Sequence, residues 1–224
     1  FNYGDCDYSW QNTTPMSWFA NAYDDVGIAE FRLNYLNKKY AEAAAYDLAF
    51  MPFVLGTDSV EKLDKDMYFE YEETGMMRSG WTSESDSYLG YHCGTNMAGH
   101  MNYDSGCFVY DAMGTRWICD LGRDGYNGNN STYYRTRAEG NNVYVFDPDD
   151  SMGQVKETYG QGLVRRESND EDSFAVIDIT ASYSNVANKA QRGFRLTDNR
   201  KVAVIKDEIE LKDDKTHKFY SFLH

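Results

Sequence analysis

The sequence predicts a mainly β protein with a helical N-terminal part, an antiparallel sandwich following helices. Three observations carry this. From Met67 onward apolar and polar residues alternate with period two in short runs. Turn residues interrupt those runs roughly every eight to twelve positions, as in a sandwich. Ahead of Met67 the apolar spacing is helical instead, and strands never alternate with helices as a parallel α/β fold requires.

Thr14-Pro15 reads as a helix cap and first turn, because proline has no amide proton to lose there. Beyond it, Trp18, Phe19, Ala22 and Tyr23, then Ile28, Phe31, Leu33, Tyr35 and Leu36, fit amphipathic helices. The stretch GTDSVEKLDKD, residues 56–66, has no periodicity and reads as a connector. The strand runs follow: MYFEYEETG, SYLGYHCG, GCFVYDAMG, TRWICDLG, NVYVFD, SFAVIDITASY, RGFRLTD, KVAVIKDEIEL and KFYSFLH. Ala112-Met113-Gly114-Thr115 and Asp198-Asn199-Arg200 are expected hairpin turns, while PDDSMGQ and ESNDEDS read as polar loops. The expected division is residues 1–66, helices and linker, and residues 67–224, the sandwich. The chain opens in mid-motif and ends like a strand cut short, so the sheet is expected to continue in a longer protein.

The chain has 224 residues, 42% of them hydrophobic and 16% aromatic, enough for a sizeable core. Its net charge of -14 argues against a nucleic-acid partner, which needs basic surface to neutralise phosphates. A local cluster of Arg78, Arg135 and Arg137 would still suit an anionic ligand. No apolar run is long enough to span a membrane, and no signal peptide is visible, so no membrane partner is expected. Cys6, Cys93, Cys107 and Cys119 lack CxxC spacing and read as buried free thiols. Free thiols favour a cytoplasmic location, a secreted or cell-surface one being the alternative. The sequons at Asn12 and Asn130 are read as chance matches in a chain rich in Asn, Ser and Thr. Nothing in the sequence sets an oligomeric state.

No phosphate-binding loop, dinucleotide fingerprint, nucleophile elbow or calcium loop occurs. Of the four histidines, His217 lies between lysines and reads as a solvated hairpin residue, His92 as a structural strand residue, and His224 is terminal. His100 lies in a glycine-bracketed loop with Asn96, Asn102 and Asp104 nearby, and loops on rigid scaffolds carry function. Asp120 and Asn141-Asn142 should return to the same end of the sheet. By residue type alone His100 is open to three roles: acid or base, metal ligand, or polar residue at a sandwich mouth.

MMRSGW, GTNMAGHMNYDSGCFVYDAMGTRWICDLG and YYRTRAEGNNVYVFD together resemble the heparinase II/III-like polysaccharide lyases, most strongly between Arg78 and Asp147. FNYGDCDYSW with SWFANAY resembles the segment that closes the helical toroid of that family. The resemblance implies the end of an α/α toroid followed by the sandwich, and cleavage of an anionic, uronic-acid-containing polysaccharide by β-elimination. It puts the catalytic histidine on His100, and the remaining catalytic residues, a tyrosine and an Asn or His, in toroid segments that this chain does not contain. Arg78, Asn96, Arg135 and Arg137 become candidates for binding sulfate or carboxylate groups, against an ordinary surface-strand reading of the arginines.

The resemblance also implies a structural zinc whose ligand positions fall on Asn102, Asp120 and Asn141. Two imidazoles are thus replaced by amides, which favours no metal, or calcium or magnesium on oxygen donors, over zinc. His92 is a replacement ligand in the alternative. A non-catalytic glycan-binding or structural sandwich is the competing functional reading.

Overall fold

The computed structural model describes residues 15–37, 47, 63–94, 96, 102–122, 142–147, 154–155 and 162–224. Among these the chain divides into a helical unit that includes Gly80–Ser83 and a β unit of Lys65–Ser79 with Glu84–His224. No helix among the described residues is long and apolar enough to cross a membrane.

In the helical unit, α1 (Met16–Tyr23) starts after Pro15 and ends where Asp24 turns left-handed, its N–H reaching back to Ala20 and Asn21 carbonyls. The Asp25 carboxylate accepts from the Ile28 N–H at 3.1 Å and so caps α2 (Val26–Asn37), a bond worth about 1 kcal/mol. The apolar pattern misleads on one point: Trp18, Phe19 and Tyr23 are exposed, while Ser17 and Ala20 are buried. The reason is polar. Ser17 donates to Asp47, and Asp47 takes a two-point ion pair from buried Arg32, at 3.0 and 2.8 Å. Buried charge is tolerated when paired this way, so the small residues of α1 turn toward it.

The described residues of the β unit form three sheets. Strands β1 (Asp66–Phe69), β2 (Thr74–Arg78), β3 (Tyr88–His92), β4 (Phe108–Ala112) and β5 (Thr115–Ile118) form an antiparallel meander in chain order. A short pair joins β6 (Tyr144–Phe146) to β11 (Phe219–Ser221). Strands β7 (Gly162–Ser168), β8 (Ser173–Asp178), β9 (Ala187–Thr197) and β10 (Val202–Leu211) form a second antiparallel sheet, ordered β10-β9-β8-β7. A 3-10 turn at Thr180–Tyr183 links β8 to β9.

The sandwich core forms because alternate residues of the two large sheets meet. Met77, Leu89, Tyr91 and Phe108 from the first face Ala175, Ile177, Ala190, Phe194 and Leu196 from the second. Phe194 is the contact point: it stacks on Tyr91 at 4.8 Å and meets Phe108 edge-on at 5.8 Å. Both expected hairpins are present. Met113 and Gly114 carry φ of 55° and 74°, and Asp198, Asn199 and Arg200 are left-handed in succession. Two elements depart from the sequence reading: part of β7 falls in the expected polar loop ESNDEDS, and the expected strand run SFAVIDITASY ends in the 3-10 turn Thr180–Tyr183. The expected thiols at Cys93, Cys107 and Cys119 are free, and Cys6 lies outside the described residues.

Candidate functional site

The loop between β3 and β4 leaves the sheet at His92 and returns at Phe108. Its base is closed by backbone bonds, His92 N–H to the Cys107 carbonyl and Gly106 N–H to the His92 carbonyl, both 3.0 Å. Gly106 is required at the return: its φ is 85°, and a Cβ there would lie 3.2 Å from Ile179. Ser105 is fully buried and its hydroxyl donates to the Gly94 carbonyl, crossing the loop.

Other segments converge on this base, and the sequence reading expected this of Asp120 and Asn142. Asn142, fully buried, donates from Nδ2 to the carbonyls of Phe108 and Cys119, both at 2.8 Å, so it holds the ends of β4 and β5 together. Its Oδ1 accepts from the His224 N–H at 2.9 Å, and the His224 carbonyl accepts from Cys119. Arg192 on β9 reaches in from the second sheet. Its Nη1 donates to the Gly106 carbonyl at 2.8 Å and the Asn142 carbonyl at 2.9 Å, while Nε and Nη2 pair with Asp207 at 2.7 and 3.0 Å. Burial works against the Arg192 charge, but the Asp207 carboxylate outweighs it and the guanidinium is held above its ordinary pKa. Residues 154–155 also join, through Ser105 and Asn96.

Two of the three implied zinc-ligand positions are described. Asp120 is 1% exposed, and burial pushes its carboxyl up to about 7, with the Gly122 N–H, 2.7 Å away, pulling the other way. Asn102 is fully buried, and neither its Oδ1 nor its Nδ2 has a hydrogen-bond partner among the described residues. Among the described residues no group of three or more His, Cys, Asp or Glu side chains is placed to hold a metal ion. Of the two, the Asp120 carboxylate is an ordinary zinc ligand, while the Asn102 amide oxygen is a weak one beside the nitrogen and sulfur that zinc favours. Next to them, burial and then the Asp104 and Asp120 carboxylates push the Cys107 thiol well above its ordinary value.

The structure places the remaining candidates as follows. His100, Arg135, Arg137 and Asn141 lie outside the described residues. Asn96 is 4% exposed and spends its Nδ2 on the Val155 carbonyl at 2.8 Å. Arg78 sits at the other end of the first sheet: Thr74 pairs with His92 but Arg78 with Tyr88, a separation of about 14 Å along the strand. There its guanidinium lies over the Tyr88 ring at 4.9 Å, and burial lowers its pKa. Arg78 is therefore remote from the loop base. His92 is fully buried on β3 and alternates with the core residues Tyr91 and Cys93.

His217 is not the solvated residue its lysine neighbours suggest. Its Nε2 meets Asp213 at 2.7 Å and its Nδ1 meets Asp147, and the two carboxylates raise its pKa. Sequence reasoning also missed Gln154 and Arg192, whose partners lie 49 and 86 residues away and leave no local pattern. A cavity of about 610 Å³ opens at the Arg78 end of the first sheet, lined by Ser79, Asp86, Tyr110, Met113, Trp117 and Lys201.

None of the curated proteins compared matches this chain. Solved structures do. Heparinase III matches at 16% identity and a TM-score of 0.65 over 94% of this chain and 30% of that one. Heparan sulfate lyase HepC from Pedobacter heparinus matches at 17% and 0.61, over 92% and 29%. At such identities the likeness shows the fold, and this chain spans about three tenths of the length of those proteins. Residues 81–224 match the model of the heparinase II/III-like C-terminal family, and the chain belongs to that family.

Proposed function

We propose that this chain is part of a polysaccharide lyase that cleaves a uronic-acid-containing, anionic polysaccharide by β-elimination. The observation that carries the reading is family membership across residues 81–224. The convergence of the His92–Phe108 loop with Asp120 and Asn142 at one end of the sandwich supports it.

The chemistry sets the requirements. A base takes the C5 proton of the uronate, the C5–H electron pair forms the C4–C5 double bond, and the C4–O bond breaks. The departing oxygen takes a proton from an acid. The C5 proton is weakly acidic because its removal adds charge beside a carboxylate, so neutralising groups must stand there. His100 is assigned to this set, for proton transfer or carboxylate neutralisation. The remaining catalytic groups belong to the toroid, and Arg135 and Arg137 are proposed to hold sulfate or carboxylate groups of the polymer.

No resident zinc is proposed, because Asn102 and Asn141 replace the imidazoles that the family's site would need. Should a cation bind there, oxygen donors would favour calcium or magnesium. Asn102 also favours the second reading, a glycan-binding sandwich that kept the fold and lost the chemistry. Mass analysis of glycans after incubation with the whole protein separates the two. Fragments ending in an unsaturated uronate support the lyase; retention on a glycan column with no fragment, across heparan sulfate, chondroitin sulfate and alginate, supports binding alone.

A further inference from the structure

We propose that Gln154 and Val155 form a positioning clamp for the loop that carries His100; this rests on the lyase reading. The feet of the loop are Asn96 and Ser105, and two consecutive residues hold both. Asn96 Nδ2 donates to the Val155 carbonyl at 2.8 Å. Ser105 is held twice by one side chain: its N–H donates to Gln154 Oε1 at 3.0 Å, and its carbonyl accepts from Gln154 Nε2 at 2.7 Å. A side-chain amide here does for Ser105 what a neighbouring strand would do.

The clamp is itself fixed. Val155 N–H donates to the Ser182 carbonyl at 2.7 Å, Ser182 Oγ donates to Ser105 Oγ at 2.9 Å, and Gln154 Nε2 lies 3.1 Å from Tyr183 Oη. Tyr183 in turn donates to the Tyr144 carbonyl at 2.8 Å. Gln154 is 5% exposed, Asn96 4%, and Ser105 and Ser182 are fully buried, so water does not replace a lost partner. Only a primary amide of glutamine's length supplies both a donor and an acceptor at that reach: glutamate cannot donate when ionised, and asparagine is one methylene short. With both feet tied to adjacent residues, the span between them is fixed. Holding both feet is the clamp's contribution to the positioning that proton transfer demands.

The test uses the whole protein with heparan sulfate as the probe, comparing wild type with Gln154→Glu and Ser182→Ala. The clamp predicts faster amide hydrogen exchange at Ser105 in both variants, at least about tenfold in Gln154→Glu, with β8 and β9 amides unchanged. It predicts kcat lowered roughly ten- to a hundredfold in Gln154→Glu with KM held within about twofold, well below the melting temperature. Should Gln154→Glu not fold, Ser182→Ala, which removes one hydroxyl, carries the test with smaller changes of the same sign. A folded variant with faster Ser105 exchange but unchanged kcat overturns the proposal, as does unchanged exchange. A wild type inert toward every uronate glycan removes the lyase reading instead, and the exchange experiment still decides whether the dipeptide holds the loop.

Discussion

The guanidinium of Arg200 grips the carboxylate of Asp66 through two parallel bonds, Nη1 to Oδ1 at 2.8 Å and Nη2 to Oδ2 at 2.7 Å, across 134 positions of the chain. The same guanidinium donates to the carbonyls of Arg78 and Asn169, so one residue at the β9–β10 turn ties β1 and β2 to the β7–β8 turn. Arg200 is 2% exposed and left-handed, φ 62°, a conformation that neighbouring contacts must hold. Removing it takes the guanidinium from the Asp66 carboxylate, leaving only the Ser168 hydroxyl of its two described donors, and takes a donor from the Arg78 and Asn169 carbonyls. Arg200→Met is expected to cost about 3 to 5 kcal/mol in urea unfolding, and Asp66→Asn less, since the amide still accepts.

Asp120 makes an opposite prediction. Its unfolded pKa is near 3.9, and its folded value is about 7 because burial penalises the anion. The folded chain therefore binds the proton more tightly, and its stability falls as pH rises from about 4 to 7, then levels off. Asp120→Asn removes that loss while an amide oxygen still accepts from Gly122. The variant should melt higher than wild type at pH 8, by an amount bounded at roughly 4 kcal/mol, and nearly equal to it at pH 4. If a cation sat on Asp120, the variant would melt lower instead, chelator would destabilise the wild type, and elemental analysis would find stoichiometric metal.

The His217 clamp gives a separate pH signature. Asp213 and Asp147 raise its pKa, so its contribution is complete below about 6.5 and is lost as pH climbs through the higher folded value. Both carboxylates are lowered, chiefly by hydrogen bonds from His217 to Asp213 and from the Lys218 N–H to Asp147, so theirs is complete above about 4 and is lost on acidification. Melting curves of His217→Gln should show a smaller decline than wild type above pH 6.5 and no added loss between pH 5 and 6 beyond a constant offset. A parallel decline in both proteins would contradict the clamp.

Much of the fold was legible because the sandwich strands obey period two. In SFAVID the residues alternate between buried and half-buried along β8, and the left-handed turns fall where Met113-Gly114 and Asp198-Asn199 predict them. Strand β7 was not legible: in GLVRRES the residues after Leu163 are exposed, so its pairing with β8 leaves no apolar rhythm. In α1 the rhythm pointed the wrong way, because Ser17 is drawn in by Asp47 and Trp18 is not. Around the candidate site, the sequence reading drew Asn102, Asp104 and Asp120 toward one end of the sheet, and all three are buried. Gln154 looked like an ordinary polar loop residue because its role depends on Ser105, to which only the folded chain brings it.

The most direct test of the central claim is the rate at which the whole protein generates unsaturated uronate, followed by its ultraviolet absorbance, with and without His100→Ala. The account predicts that wild type cleaves at least one uronate polysaccharide and that His100→Ala lowers kcat on the order of a hundredfold or more while the protein stays folded. A wild type that releases no unsaturated product from any such glycan, or a His100→Ala protein that turns over as fast as wild type, would contradict it.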